Sequence, residues 1–171
     1  MLSDKMLEAL NEQINRELYS EYLYLSMAAW FEDQGLPGFA NWMKVQTQEE
    51  HFHAMKIFDY VSEVNGRVTL KPIAGPPVDF ESALAIFEAS LDHEKYITAS
   101  INERVKLAMD ESDFATANFL QWYVAEQVEE EASVGAVVDK LRLAAGHGNA
   151  LLMLDQQLAT RVFTPPAAEA E

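Results

Sequence analysis

The chain has 171 residues, 49% of them hydrophobic, with 28 acidic residues against 12 Lys and Arg and a formal net charge of -16. Such acidity argues against nucleic acid as a partner and favours cations, which an acidic field concentrates. The lack of cysteine excludes disulfides, thiolate zinc sites and cysteine-held iron–sulfur clusters. No apolar run approaches the ~20 residues of a membrane span, and Met-Leu-Ser-Asp-Lys-Met has no apolar signal core. One domain, without a membrane partner and located in the cytoplasm, is expected.

The periodicity predicts an all-α chain of four long helices and one short one. The first runs from about Asp4 to Asp33 with Ser3 as N-cap, and Leu7, Leu10, Ile14, Leu18, Tyr22 and Leu25 recur at helical spacing. Gln34-Gly35-Leu36 breaks it. Pro37 suits the first turn of the second helix, which continues to about Val64 and stops at Asn65-Gly66. Arg67 to Val78 carries Pro72, Gly75, Pro76 and Pro77, a density that excludes helix. It exceeds the ~2–8 residues that join antiparallel neighbours, so it reads as a crossover that leaves the second and third helices parallel.

Asp79 is the expected N-cap of the third helix, which reaches about Met109. Asp110-Glu111-Ser112 forms a turn, and Ser112 is the expected cap of the fourth helix, which ends near Leu143 or Ala145. Gly146-His147-Gly148 stops that helix. Asn149 then caps a short helix with Leu151, Leu152, Leu154 and Leu158 on its apolar surface. A loose tail is expected from Thr164 to Glu171. The reading is a four-helix bundle over residues 1–163 with one long crossover and a short fifth C-terminal helix.

The chemistry is concentrated at Glu50 and His53. Residues three apart on a helix share a face, so one carboxylate and one imidazole can hold the same cation. Phe39, Met43, Gln46, Glu50, His53 and Ile57 follow one face at steps of three and four, and a carboxylate in that row needs a partner. Each other long helix offers a glutamate beside its apolar stripe. Glu17 lies among Ile14, Leu18, Tyr24 and Leu25, and Glu94 follows Phe87, Leu91 and Ile101. On the fourth helix Glu126, Gln127, Glu129 and Glu130 follow the apolar Phe119 to Val124, so at least one of them points inward. His51 lies about 100° from Glu50, and His93 is expected at a surface or a subunit contact. Glu17, Glu50, Glu94 and Glu130 carry four negative charges, which two divalent cations neutralise, with His53 neutral and ligating. Carboxylate with imidazole suits iron or manganese better than calcium or magnesium. Glu50 is the expected bridge between two ions ~3.5–4 Å apart. A metal-free bundle with acidic faces is the alternative.

Nearly the whole chain resembles the ferritins, specifically the haem-free prokaryotic type. The most specific stretches are Leu-Asn-Glu-Gln-Ile-Asn-Arg-Glu-Leu-Tyr-Ser-Glu-Tyr-Leu-Tyr-Leu, Gln-Glu-Glu-His-Phe-His-Ala-Met-Lys and Asn-Phe-Leu-Gln-Trp-Tyr-Val-Ala-Glu-Gln-Val-Glu-Glu-Glu. The resemblance implies a ferroxidase that oxidises Fe(II) with O2 or H2O2 and stores Fe(III) as mineral in a homo-oligomeric shell, usually of twenty-four subunits. It implies a first iron site at Glu17, Glu50 and His53, and a second at Glu50, Glu94 and Glu130 with Gln127 beside it. Glu49, Glu126 and Glu129 match the third iron site of prokaryotic ferritins, Tyr24 a tyrosine beside the centre, and Trp122 a nearby aromatic residue. Haem is not expected, because His51 stands where bacterioferritins have the haem-binding methionine. The fourth helix has Gln127 and Glu130 in place of the second Glu-x-x-His of bacterioferritins and many di-iron oxygenases. A soluble di-iron redox enzyme acting with O2 or peroxide is the second reading.

Overall fold

The computed structural model describes residues 2–165, which form five helices and, among the described residues, no strand. Helix α1 spans Asp4–Asp33, and Ser3 Oγ accepts the Met6 N–H at 3.0 Å as the expected N-cap. Helix α2 spans Pro37–Glu63, α3 Ala83–Asp110, α4 Phe114–Ala144 and α5 Gly148–Leu158. The expected tail beyond Pro165 lies outside the described residues.

Side-chain pairs fix the directions. Lys44 meets Glu32 and His51 meets Glu21, so α2 runs antiparallel to α1. Arg142 meets Glu88 and Thr98 meets Glu131, so α4 opposes α3. Arg16 reaches Ser100 and Ser20 reaches His93, so α3 opposes α1 and is parallel to α2, as the long crossover predicts. The crossover lies along α1. Asn11 accepts the Thr69 N–H at 2.9 Å and donates to the Arg67 carbonyl at 3.2 Å, and Ser26 donates to the Pro77 carbonyl at 2.6 Å.

Three helix starts differ from expectation. Helix α3 begins at Ala83 with Ser82 Oγ accepting the Ala85 N–H at 3.1 Å, and not after Asp79. Phe80, which packs edge-on to Trp30, keeps that stretch part of the crossover. Ser112 cannot cap α4 because its φ is 57°, in the left-handed region, where the N-cap position is extended. Asp113 caps instead, with one carboxylate oxygen on the Thr116 N–H at 3.1 Å and the other on its hydroxyl at 2.6 Å. Helix α5 starts at Gly148, one residue before the expected cap Asn149, with His147 at the N-cap position and no side-chain cap.

The apolar core is divided. One cluster gathers Met27, Phe31, Phe39, Met43, Ile86, Phe87, Val134 and Val138. The other gathers Met6, Leu10, Ile14, Ile57, Val61, Ile101 and Leu120. Each fully buried large side chain contributes roughly 1.5–3 kcal/mol. Tyr22 and Leu25, expected in the stripe of α1, are 49% and 47% exposed, because the buried face turns through Leu23, Tyr24, Met27 and Ala28. Helix α5 closes one end. Its Leu154 and Leu158 are buried, while Leu152 is exposed. Asp155 Oδ1 accepts the Gly38 and Phe39 N–H groups at 2.8 and 2.9 Å, capping α2, whose own Leu36 offers no side-chain cap. Gly38 is required by this contact, since a Cβ there would lie 1.7 Å from the Asp155 carbonyl oxygen.

Candidate metal centre

Between the two apolar clusters lies a polar belt. Glu17, Glu50, Glu94, Glu130 and His53 are all buried, at 1–4% exposure, and they come from four different helices. The row predicted on α2 is inward throughout, since Phe39, Met43, Gln46, Glu50, His53 and Ile57 are all buried. On α1 the same face continues through Leu10, Gln13, Ile14, Glu17, Ser20 and Tyr24.

The structure brings ligand atoms of Glu17, Glu50 and His53 within 4.8 Å of one another, and does the same for His53, Glu126 and Glu130. His53 stands between the two groups, with Nδ1 3.5 Å from Glu50 and Nε2 3.9 Å from Glu126. Glu94 is not in either trio. It accepts the Tyr24 hydroxyl on Oε1, and Gln127 Nε2 lies 3.2 Å from both its Oε2 and its backbone carbonyl. The Tyr123 hydroxyl donates to the His53 carbonyl at 2.8 Å, which fixes the helix beneath the imidazole. Trp122 lies edge-on to His53 with ring centres 5.5 Å apart.

Two further glutamines hold the other carboxylates. Gln13 Nε2 donates to Glu17 Oε1 at 2.7 Å. Gln46 Nε2 donates to Glu130 Oε2 at 2.7 Å and to Glu50 Oε1 at 3.1 Å. Each stands four residues before the glutamate of its own helix, a spacing that puts amide and carboxylate on one face and was readable in the sequence. The missed residue without a local signal is Arg161, whose guanidinium reaches Glu49 and Gln46 from beyond α5.

Burial disfavours charge on these carboxyls. Burial pushes the Glu17 carboxyl up to about 8, with the Glu50 charge adding to it and His53 opposing. Burial likewise raises Glu94 to about 8, with Glu50 adding and the bonds from Tyr24 and Gln127 opposing. Glu50 is raised well above the carboxylate range by burial and then by Glu130, and Glu130 is raised by burial and then by Glu94. Glu17 Oε2 is fully buried and receives no hydrogen bond from a described donor. Its charged neighbour is another carboxylate, so a shared proton or a cation is what relieves it. Acceptor-only oxygens beside an imidazole suit a divalent cation.

The rim differs. Glu49 is half-buried and pairs with Arg161; burial raises its carboxyl while the guanidinium and His53 oppose. Glu126 is half-buried and also raised, chiefly by burial. Glu129 is exposed. His93, expected at a surface or a subunit contact, lies between α1 and α3 with Nε2 2.7 Å from Ser20 Oγ, and burial lowers it to about 4, so it is neutral. His51 is exposed and 3.2 Å from Glu21. No described helix is long and apolar enough to cross a membrane.

A family model described as a ferritin-like domain matches residues 7–144. The chain is 42% identical over 158 residues to a bacterial non-haem ferritin of Campylobacter jejuni, covering 92% of this chain and 95% of that one. A ferritin of Archaeoglobus fulgidus engineered into a closed form superposes with a TM-score of 0.95 at 58% identity, covering 96% of this chain and all (100%) of the other. The open-pore ferritin of the same organism superposes at 0.94 and 58% identity, covering 95% of this chain and 100% of that one.

Proposed function

The chain belongs to the ferritin-like family and is an iron-storage protein of the haem-free prokaryotic ferritin type, and from this we propose how its residues divide the work. Fe(II) is the substrate. Glu17, Glu50 and His53 take one ion, and Glu50, Glu94 and Glu130 take a second, with Glu50 shared. Two Fe(II) ions supply two electrons, which with two protons reduce O2 to H2O2 or H2O2 to water. Oxidised iron leaves for a mineral store enclosed by a shell of identical subunits, twenty-four in number, in the cytoplasm. Tyr24 and Gln127 orient Glu94 for this chemistry. Glu49, Glu126 and Glu129 form a third site at the edge. The fifth helix and residues up to Phe163 belong to the same domain.

The observation that carries this reading is the orphaned Glu17 oxygen. A buried carboxylate with no donor on one oxygen, beside a second carboxylate and an imidazole, is costly in a metal-free fold and satisfied by a cation. Charge balance agrees, since two divalent ions cancel the four buried carboxylates.

Aerobic Fe(II) loading followed by sedimentation, with iron absorbance recorded across the boundary, is the direct assay. Tens or more irons per subunit moving with a large shell is the expected result. Iron stopping at two or three per chain on a small oligomer contradicts storage.

A further inference from the structure

Arg161 lies just past α5, where Asn41 Nδ2 ties the chain to α2 by donating to the carbonyls of Leu158 at 3.2 Å and Arg161 at 3.0 Å. Its guanidinium carbon stands 4.3 Å from the centre of the Trp42 ring. Nη1 donates to Gln46 Oε1 at 2.9 Å, and Nη2 donates to Glu49 Oε2 at 2.5 Å. The Arg161 and Glu49 side chains are each only 21% exposed. Phe163 follows, its ring 6.4 Å from that of Phe52. The segment is therefore seated on the face of α2 that carries Glu49, with aromatic contacts on either side of the arginine.

We propose that Arg161 is a built-in competitor for metal at the edge of the centre: its guanidinium holds Glu49 where a third cation would bind, so that Glu49 joins a metal site only when Arg161 withdraws. The proposal rests on the reading of Glu49, Glu126 and Glu129 as a third site. A carboxylate oxygen already bound by a charge-assisted hydrogen bond is a poor ligand, and a metal ion beside a retained guanidinium meets like-charge repulsion. The buried carboxylates face no such rival, because the arginine reaches them only through the amide of Gln46, which donates to Glu50 and Glu130. Arg161 thus separates strong binding in the belt from weak binding at the rim. It also couples occupancy of the rim to release of the C-terminal segment from Trp42. Arg161 is a positioning residue in this scheme and not a ligand.

The test is equilibrium titration of the metal-free, full-length protein with Zn(II) against a chromophoric chelator, comparing wild type, Arg161→Gln, Arg161→Lys and Glu126→Gln. Arg161→Gln is expected to tighten the third equivalent about tenfold relative to the first two, the scale of one lost charge-assisted hydrogen bond. Adding Glu49→Gln should cancel that gain, and Arg161→Lys, which keeps the charge, should show less of it. The Trp42 emission, isolated by difference from Trp42→Phe, should change with the third equivalent in wild type and not in Arg161→Gln. If Glu126→Gln weakens the third equivalent while Arg161→Gln leaves it unchanged or weaker, the competition is refuted and the third site stands. If Glu126→Gln changes nothing, the third site itself fails and takes the proposal with it.

Discussion

Glu49 and Glu50 are neighbours in the chain, yet Glu50 is enclosed with three other carboxylates and Glu49 pairs with Arg161 at the edge. One residue turns the helix by about 100°, enough to move a carboxylate from a desolvated belt to a half-exposed rim. In the belt, charge is matched by protons or by a cation from outside. At the rim, a cation is already present in the chain. Burial without a paired base is therefore a better sign of an ion-binding centre than acidity alone, because the rim also gathers three glutamates but has its own counterion.

The largest expected effect is at the belt ligands of α2. Glu50→Ala or His53→Ala should lower the initial rate of Fe(II) oxidation by roughly a hundredfold or more in stopped-flow, with the sedimentation of the assembly unchanged. Glu126→Gln at the rim should change that rate far less; an equal loss would erase the distinction between the two regions. Gly38→Ala drives a Cβ into the Asp155 backbone and should cost ~3 kcal/mol or more in denaturant unfolding. Asp155→Ala, which removes only the cap, should cost about 1–2 kcal/mol.

The pH dependence separates protons from metal. Glu17 and Glu94 have folded-state values of about 8 against an ordinary 4.5. The native state then holds protons that the unfolded chain has released, so their stabilisation is complete below about pH 4.5 and is lost as pH rises through about 8. Melts of the metal-free protein should show these groups lowering stability by on the order of a few kcal/mol across that range. Zn(II) should flatten the slope and release protons on binding. A metal-free protein equally stable at pH 5 and 8 would mean that the belt is already neutralised. The smallest effect is expected for Tyr24→Phe, which keeps the ring and removes the hydroxyl on Glu94. It should slow oxidation by about tenfold with little change in melting.

Much of this was legible in the sequence. The α2 row from Phe39 to Ile57 is inward as its spacing predicts, and Glu17, Glu94 and Glu130 are buried as their neighbours imply. Ser3 and Pro37 begin their helices where local chemistry puts them. What escaped was set at a distance or by competition between adjacent caps. Asp155 caps α2 from 116 positions away, and Arg161 meets Glu49 across 112. No local pattern marks either pair. Asp79 and Ser82 are both good caps, and the packing of Phe80 on Trp30 goes with the later one. Asp113 outdoes Ser112 because it offers two acceptors to Thr116 while Ser112 turns left-handed. Tyr22 and Leu25 continue an apolar period, yet the buried face of α1 drifts past them.

The most direct measurement is anomalous diffraction from crystals loaded with Fe(II) under anaerobic conditions. Two strong peaks per chain within the belt are predicted, one bound by Glu17, Glu50 and His53 and the other by Glu50, Glu94 and Glu130, with any third peak at the rim weaker. Iron confined to surface carboxylates, with the belt empty of metal at saturating Fe(II), would contradict the account.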